Sequence, residues 1–229
     1  MAEIGQDPFE AVARKDLRHL SSICDSNGFY SLVSDDGNTL LHAAALTGDK
    51  NVVKFLVEGA DFPVDVQNSY GQTPLQLCVS QGNVECVLYL LQKGADKSLS
   101  NNFGANSLHL GLSNKSYEVS KILLQHSSRN DVQIRNGEGE SLIALACESG
   151  SLALVQLITS FVGFIAVKED KHPENLKSPL HYAVQGGKAD VVRFLVEEAG
   201  CAAGAADGAG DAPLHYACDA GDPEMVRAL

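Results

Sequence analysis

Histidine is the residue type in this sequence whose number and spacing first suggest chemistry. Imidazole is a common metal ligand and acid–base group, and the chain has 7 histidines. Those that follow a leucine at matching points of an internal repeat are His42, His109, His181 and His215. Matching points of packed repeats lie roughly 10 Å apart, whereas metal–ligand bonds are about 2 Å long. We therefore expect these rings to hydrogen-bond to the neighbouring turn and helix cap, and we expect no metal site.

No motif for catalysis is present. The chain contains no G-x-S-x-G, no G-x-x-x-x-G-K-[ST], no H-E-x-x-H and no kinase signature. The glycines at 137 and 139, and those between 204 and 210, do not open a βαβ unit, so they predict turns rather than a phosphate loop. The sequence therefore predicts a protein that is not an enzyme and that needs no cofactor.

Cysteine spacing predicts neither a zinc site nor a disulfide framework. The 6 cysteines form no C-x-x-C pair. Free cysteine is often buried, and it persists in reducing compartments. We expect small buried thiols and a cytoplasmic protein, with the nucleus as the alternative compartment.

Charge and hydropathy exclude two classes of partner. The chain has 29 acidic residues against 17 lysines and arginines, which gives a net charge of −12. A molecule this acidic is repelled by nucleic acid. The longest apolar run covers only residues 161–167, far short of the roughly 18 residues that span a bilayer, and no signal-like segment begins the chain. We expect neither nucleic-acid binding nor membrane insertion in this segment.

One short pattern recurs along the whole chain. Its anchor is an aliphatic residue, which follows Thr-Pro, Ser-Pro or Ala-Pro in three of the six copies, and the intervals between anchors are 34, 33, 35, 37 and 34 residues. The anchors are Leu41, Leu75, Leu108, Ile143, Leu180 and Leu214. A glycine follows seven residues after every anchor but the third, where Lys115 replaces it. This predicts a short first helix with a left-handed end, followed by a second helix with apolar residues at helical spacing.

The pattern T-P-L-H-x-A at a period near 33, with Gly-Ala-Asp after the second helix, resembles the ankyrin repeat over essentially the whole chain. The resemblance implies an all-α repeat solenoid of helix-turn-helix units with β-hairpin fingers, in which fingers and first helices line a concave face. We expect a single ankyrin-repeat domain over 1–229. Its parts are an N-terminal capping repeat at 1–33, repeats at 34–67, 68–100, 101–133, 134–171 and 172–206, and an incomplete last repeat at 207–229.

Two repeats depart from the pattern. Lys115 places a non-glycine residue in the left-handed region or forces a different helix end, which softens the fourth repeat by on the order of 1 kcal/mol. The fifth repeat has a weak motif and the longest interval to the next anchor. Its extra residues, within 164–177, predict an elongated finger or a longer second helix.

A repeat stack exposes a concave surface without a deep pocket, which favours recognition over catalysis. The resemblance therefore implies a monomeric scaffold that binds a protein or peptide at fingertips and first helices. The acidity of the later fingers indicates a partner with a basic segment. The positions that we expect to contact the partner are Asp36, Asn38, Leu46, Tyr70, Gln72, Gln81, Phe103, Asn114, Glu138 and Glu148.

Tyr70 and Phe103 are the aromatic members of that set. Each precedes a finger glycine, and aromatic side chains at an exposed edge are typical interface anchors. The alternative is that either ring folds back onto its own hairpin. From the sequence both interpretations stay open.

Regulation of a larger protein is the alternative function. The chain stops inside the expected second helix of the seventh repeat, and a stack that ends there exposes an apolar face. On this interpretation the chain is the N-terminal regulatory or targeting domain of a larger enzyme, channel or lipid-binding protein whose active part lies beyond Leu229.

Overall fold

The computed structural model describes residues 7–24 and 32–229. They fall into two compact units, one up to Asn102 and one from Phe103. Each unit is built of helix pairs in the predicted order. Within the described residues, no helix is both long enough and apolar enough to cross a bilayer.

Three helix pairs form the described part of the first unit. Its helices are α1 Pro8–Ala13, α2 Leu17–Cys24, α3 Leu40–Thr47, α4 Lys50–Lys54, α5 Pro74–Ser80 and α6 Val84–Gln92. Helix α4 continues into a π-helical turn, Phe55–Gly59. First helices pack against first helices, α3 against α1 and α5, while α4 packs against α6. The unit is therefore two layers of helices.

Four helix pairs and one extra helix form the second unit. Its helices are α7 Ser107–Ser113, α8 Tyr117–Gln125, α9 Leu142–Glu148, α10 Leu152–Val162, α11 Phe164–Glu169, α12 Pro179–Gln185, α13 Ala189–Arg193, α14 Pro213–Asp219 and α15 Pro223–Ala228. Helix α13 also continues into a π-helical turn, Phe194–Glu198. The sequence Val-Val-x-Phe-Leu-Val spans the junction between the α-helix and the π-helical turn in both places. The same local sequence therefore forms the same local structure in the two units.

Several of the first helices begin at a reciprocal cap. In α5 the Thr73 hydroxyl accepts from the Gln76 N–H, and the Gln76 side chain accepts from the Thr73 N–H, both at 3.2 Å. In α3 the same place is taken by His42, whose Nδ1 accepts from the Thr39 N–H at 3.1 Å. A threonine followed three residues later by glutamine or histidine therefore starts these two helices.

All the anchor leucines except Leu214 lie at the centre of the core. Leu41, Leu75 and Leu180 are fully buried. Burial of a leucine side chain stabilises a fold by about 1.5–3 kcal/mol, so the anchors are a main source of repeat stability. Leu214 and Val226 of the last helix pair are instead 43% and 39% exposed.

The fingers are short turns closed by one polar residue. Asn68 donates its N–H to the Gln72 carbonyl at 3.0 Å, and its Oδ1 accepts from the N–H groups of Tyr70 and Gln72. Asn136 and Asp207 make the same five-residue turn. The resemblance implied β-hairpin fingers, but no strand occurs in the part of the chain that the structure describes. The polar side chain closes the turn within five residues, which leaves no length for a ladder.

Neighbouring fingers within a unit are joined by backbone hydrogen bonds. In the first unit the Ser69 N–H donates to the Asp36 carbonyl at 3.0 Å. In the second unit the Gly137 N–H donates to the Phe103 carbonyl at 2.9 Å. The approach is so close that a Cβ on Gly104 would lie 2.4 Å from the Gly137 nitrogen.

The extra residues of the fifth repeat form a helix of their own. Helix α10 has 11 residues against 9 in α6 and in α8, and the finger that begins at His172 is one residue longer than the others. Between them Gly163, at φ 89°, turns the chain into α11, which the sequence did not predict. Val167 of α11 is fully buried, and this contact fixes the helix to the fold.

The thiols are buried with one exception. Cys78, Cys86, Cys147 and Cys201 are free and buried. Cys218 is exposed, so the expectation of a buried thiol is wrong there, because it lies on the open side of α14. The side chain of Cys24 lies outside the described residues.

Candidate functional site

Two of the repeated histidines, His42 and His181, join a helix cap to the following finger. Nε2 of His42 lies 2.9 Å from the Gln72 carbonyl oxygen, and Nε2 of His181 lies 3.0 Å from the Asp211 carbonyl oxygen. Burial lowers the pKa of His42 and of His181 and brings the pKa of His109 to about 4, so these rings are neutral at pH 7. Within the described residues, no three His, Cys, Asp or Glu side chains are grouped so that they could hold a metal ion.

The expected contact positions of the first unit lie at two fingertips and on the helices behind them. They are Asp36, Asn38, Leu46, Tyr70, Gln72 and Gln81, and each is at least partly exposed. The Tyr70 ring does not fold onto its own finger, because its hydroxyl donates to Asp36 Oδ1 of the preceding finger at 3.2 Å. Since 49% of Tyr70 stays exposed, the ring presents a fixed edge to solvent.

Asn38 and Gln72 belong to a ladder of amide groups between the same two fingers. Asn68 Nδ2 donates to Asn38 Oδ1 at 2.8 Å and to Gln72 Oε1 at 3.5 Å. Behind the ladder, Leu46 of α3 is 44% exposed and Gln81 at the end of α5 is exposed. The first unit therefore offers an aromatic edge, an aliphatic side chain and amide groups on one series of fingers and first helices.

The remaining expected positions, Phe103, Asn114, Glu138 and Glu148, lie in the second unit and are all exposed. Phe103 is 70% exposed. Its backbone carbonyl is held by the Gly137 N–H, so the fingertip is fixed while the ring stands in solvent. A fixed, exposed aromatic ring is the arrangement of an interface anchor.

Glu138 and Glu148 line a groove of about 500 Å³ in the second unit. The other side chains around it are Glu140, His172, Glu174, Asn175, Lys177, Tyr182 and Gln185. Burial and the carboxylates of Glu140 and Glu138 raise the pKa of Glu148. None of the four glutamates is within salt-bridge distance of a described cation. Lys177 also lines the groove and offsets part of this charge. The negative charge that remains in this concave space attracts cations.

Glu174 is one of the groove residues that the sequence did not indicate, because the finger that carries it has no glycine. His172 replaces the usual asparagine, and its Nδ1 accepts from the N–H groups of Glu174 and Asn175 at 3.2 and 3.3 Å. Leu176 replaces the glycine at φ 57°. His172 Nε2 lies 2.6 Å from the Glu138 carbonyl oxygen, which sets this finger beside the preceding one. Each of these fingers begins five or six residues before the next helix cap, so counting back from that cap would have located the finger that carries Glu174.

Known proteins match this chain in sequence. A family model described as ankyrin repeats in 3 copies matches residues 9–101 and 143–229. Inversin of Canis lupus familiaris is 28% identical over 189 residues, which cover 82% of this chain and 17% of Inversin. The transient receptor potential cation channel subfamily A member 1 of Homo sapiens is 27% identical over 202 residues, which cover 84% of this chain and 18% of the channel. The chain thus spans less than a fifth of the length of these two relatives.

A solved structure matches it in fold. The ankyrin repeat domain of Bcl-3, a member of the IkappaB protein family, superposes with a TM-score of 0.79 at 24% identity, and the match covers 99% of each chain. The segments matched by the family model make up well over half of the sequence, and they contain the capped helix pairs described above. The chain therefore belongs to the ankyrin-repeat family.

Proposed function

We propose that this chain is a binding module that recognises a protein or peptide through its fingertips and first helices, and that the partner presents a basic segment to the second unit. The observation that carries the proposal is the groove in which four glutamates, Glu138, Glu140, Glu148 and Glu174, outnumber the single lysine, Lys177. None of the four carboxylates is within salt-bridge distance of a described cation. Ankyrin repeats are protein-interaction modules, which supports a partner of this class. We infer a monomer in the cytoplasm, with the nucleus as the alternative compartment.

Each unit supplies its own kind of contact. In the first unit the Tyr70 edge and Leu46 supply apolar surface, and the amides supply hydrogen bonds. In the second unit Phe103 supplies an aromatic anchor beside the acidic groove. Anchors give affinity, while complementary charge mainly speeds association and selects the partner.

A regulatory role within a larger protein is the second candidate. The similarity to a cation channel, of which this chain matches 18%, favours it. Both candidates use the same binding surface and differ in what the rest of the protein does. The coding sequence beyond codon 229 distinguishes them, since a natural stop codon at that point would contradict the regulatory role.

The basic-partner proposal is tested with the full chain and a defined probe. The probe is a peptide of about 12 residues in which lysine alternates with serine, since an extended chain presents every second side chain to one face. The variant Glu138→Gln/Glu140→Gln/Glu148→Gln removes three groove charges. We expect isothermal titration calorimetry to show about 10-fold weaker binding of the probe to this variant.

The matched control removes the same charge from another place. Glu169→Gln/Glu197→Gln/Glu198→Gln changes three exposed carboxylates that do not line the groove. This control should bind the probe about as tightly as the wild type does, within about 2-fold. Equal loss in both variants would mean that only net charge matters, and undiminished binding by the groove variant would refute the basic-partner proposal.

A further inference from the structure

A second cavity lies under the extra helix of the second unit, away from the acidic groove. It holds about 330 Å³, which is within the range of roughly 300–1,000 Å³ found for sites that take a compact ligand group. Its apolar lining consists of Val132, Leu142, Ile143, Phe161, Val162 and Ala166. None of these residues belongs to the fingers or the groove discussed above.

Polar contacts fix the shape of this cavity. The Arg135 guanidinium lies 2.6 Å from Asp170 Oδ1 and also donates to the Gly139 carbonyl at 2.9 Å. The Ser141 hydroxyl donates to the other carboxylate oxygen of Asp170 at 2.6 Å. Asp170 directly follows α11, so these bonds hold the end of α11 against the start of α9. The charges inside the cavity wall are therefore matched, and the pocket is formed before any ligand binds.

Arg129 is the unmatched charge at this cavity. It lines the cavity, its side chain is exposed, and it makes no ion pair with any residue that the structure describes. An exposed guanidinium beside an apolar pocket is complementary to a ligand that carries a carboxylate next to a bulky apolar group. The positive charge of Arg129 is opposite in sign to the charge of the acidic groove. It is also opposite to the net charge of the whole chain, which is −12.

We propose that this cavity binds a segment of a partner protein in which a bulky apolar residue is adjacent to an acidic residue. The apolar side chain enters the cavity, and the carboxylate pairs with Arg129. Ile165 of α11, next to the cavity-lining Ala166, is 74% exposed, so apolar surface continues outside the cavity. A protein segment can cover this surface as well as the cavity, whereas a compact small molecule would leave it in water.

Chemical-shift mapping on the full, isotope-labelled chain tests the proposal. The probe is the blocked tetrapeptide Gly-Phe-Glu-Gly, and the comparison peptides carry alanine for phenylalanine or glutamine for glutamate. We expect millimolar binding that shifts the amides of residues 129–135, 141–143 and 161–170. Each comparison peptide should bind about 3- to 10-fold more weakly.

Two variants locate the contact. Arg129→Ala should weaken the Glu peptide about 5-fold and leave the Gln peptide unchanged, whereas the control Arg193→Ala, at another exposed arginine, should leave both unchanged. Ala166→Trp fills the cavity and should abolish the shifts, with circular dichroism as the check on folding. If that variant unfolds, the peptide series on the wild type still shows whether the cavity binds the apolar and acidic pair of side chains.

Three results would overturn the proposal. The first is the absence of shifts at the cavity at peptide concentrations up to about 10 mM. The second is binding of decanoate, but not of the peptide, at the same residues, which would assign the cavity to a free amphipathic acid. The third is a set of concentration-dependent shifts without any peptide, which would assign it to a second copy of the chain.

Discussion

The hydroxyl of Tyr70 donates a hydrogen bond across 3.2 Å to Oδ1 of Asp36, from one fingertip to the preceding one. The carboxylate disfavours the phenolate and therefore raises the pKa of Tyr70. Both side chains are exposed, so water screens the bond and its contribution to folding is small. Its main effect is to hold the ring in place, which lowers the entropy that is lost when a partner covers it.

Substitution of Tyr70 should therefore affect binding much more than stability. We expect Tyr70→Ala to lower the free energy of unfolding by less than about 0.5 kcal/mol, because the position is on the surface. Affinity for a partner should fall about 10-fold or more, because an aromatic anchor is lost. Tyr70→Phe should give an intermediate affinity. Urea unfolding and titration calorimetry with the same preparations measure both effects.

The control for that series is Tyr117→Ala, which removes a 37% exposed ring from α8 and not from a finger. It should leave affinity unchanged. An equal loss of affinity from Tyr117→Ala and Tyr70→Ala, with both variants folded, would contradict the role of the fingertip.

Glycine should stabilise the chain at position 115 and destabilise it at position 121. Lys115 has φ 56°, a left-handed conformation that is disfavoured for lysine by about 1 kcal/mol, so Lys115→Gly should raise the free energy of unfolding by roughly 0.5–1 kcal/mol. Lys121 lies inside α8, where the same substitution should lower it by about 1 kcal/mol. Chemical denaturation of the two variants checks the opposite signs, and two changes of the same sign would refute the conformational argument.

Alanine at Gly104 should be among the most disruptive small substitutions in the second unit. Gly104 has φ +68°, and its added Cβ would meet the Gly137 nitrogen at 2.4 Å. We expect a loss of about 2 kcal/mol or more, from strain and from separation of the two fingers. Gly204→Ala is the matched control, because nothing lies within 4 Å of its added Cβ and its φ is not in the left-handed range. Thermal melting of both variants shows whether only the first is affected.

Acid should destabilise the fold through its buried imidazoles. Burial brings the pKa of His109 from 6.5 to about 4, so between these values the unfolded chain binds a proton that the folded chain does not. The stabilisation from this residue is complete above pH 6.5 and is lost as the pH falls toward 4, by on the order of 3 kcal/mol. Urea unfolding at several pH values measures this slope.

Glutamine is a suitable replacement for His109, because Gln76 occupies the equivalent cap position in α5. His109→Gln should flatten the pH dependence, whereas His126→Gln, at an exposed ring, should leave it as it is. Identical slopes in all three proteins would show that His109 is not the titrating group.

Thiol reagents should distinguish the cysteines by burial. Cys218 is exposed and should react within the native state. Burial raises the pKa of Cys147 well above its usual value and that of Cys201 to about 11, so both should react only on unfolding. Mass spectrometry of peptides after a brief pulse of a maleimide identifies the labelled sites. Labelling of Cys147 before Cys218 would contradict the burial pattern.

The helix pairs could be predicted because their signals are local. All the signals of a first helix lie within one short segment, as in Thr39 to Gly48. They are a cap residue, an anchor leucine within three positions of it, and a glycine seven residues after the anchor. Propensity, capping and apolar spacing all agree there. The exposure of the ten expected contact positions followed from the same register.

Other features depend on contacts distant in sequence and could not be predicted. The hydrogen-bond partner of the Tyr70 hydroxyl lies 34 residues earlier in the chain, and no pattern in the residues around Tyr70 indicates it. Helix α11 begins without a side-chain cap and is held by the burial of Val167, which only the folded packing determines. The sequence predicted an elongated finger or a longer second helix within 164–177, but it did not locate the fingertip, because Leu176 occupies the position where glycine was the expected signal.

Main-chain hydrogen bonds join neighbouring fingers, as in the bond from Ser69 to Asp36 and the bond from Gly137 to Phe103. Every residue has a carbonyl group to accept such a bond, whatever its side chain. Outside positions such as Gly104, where an added Cβ would collide with the next finger, changes of a fingertip side chain can therefore alter which target is recognised without breaking these bonds. The same property lets natural variation, or a designer, retarget the surface of each unit one tip at a time.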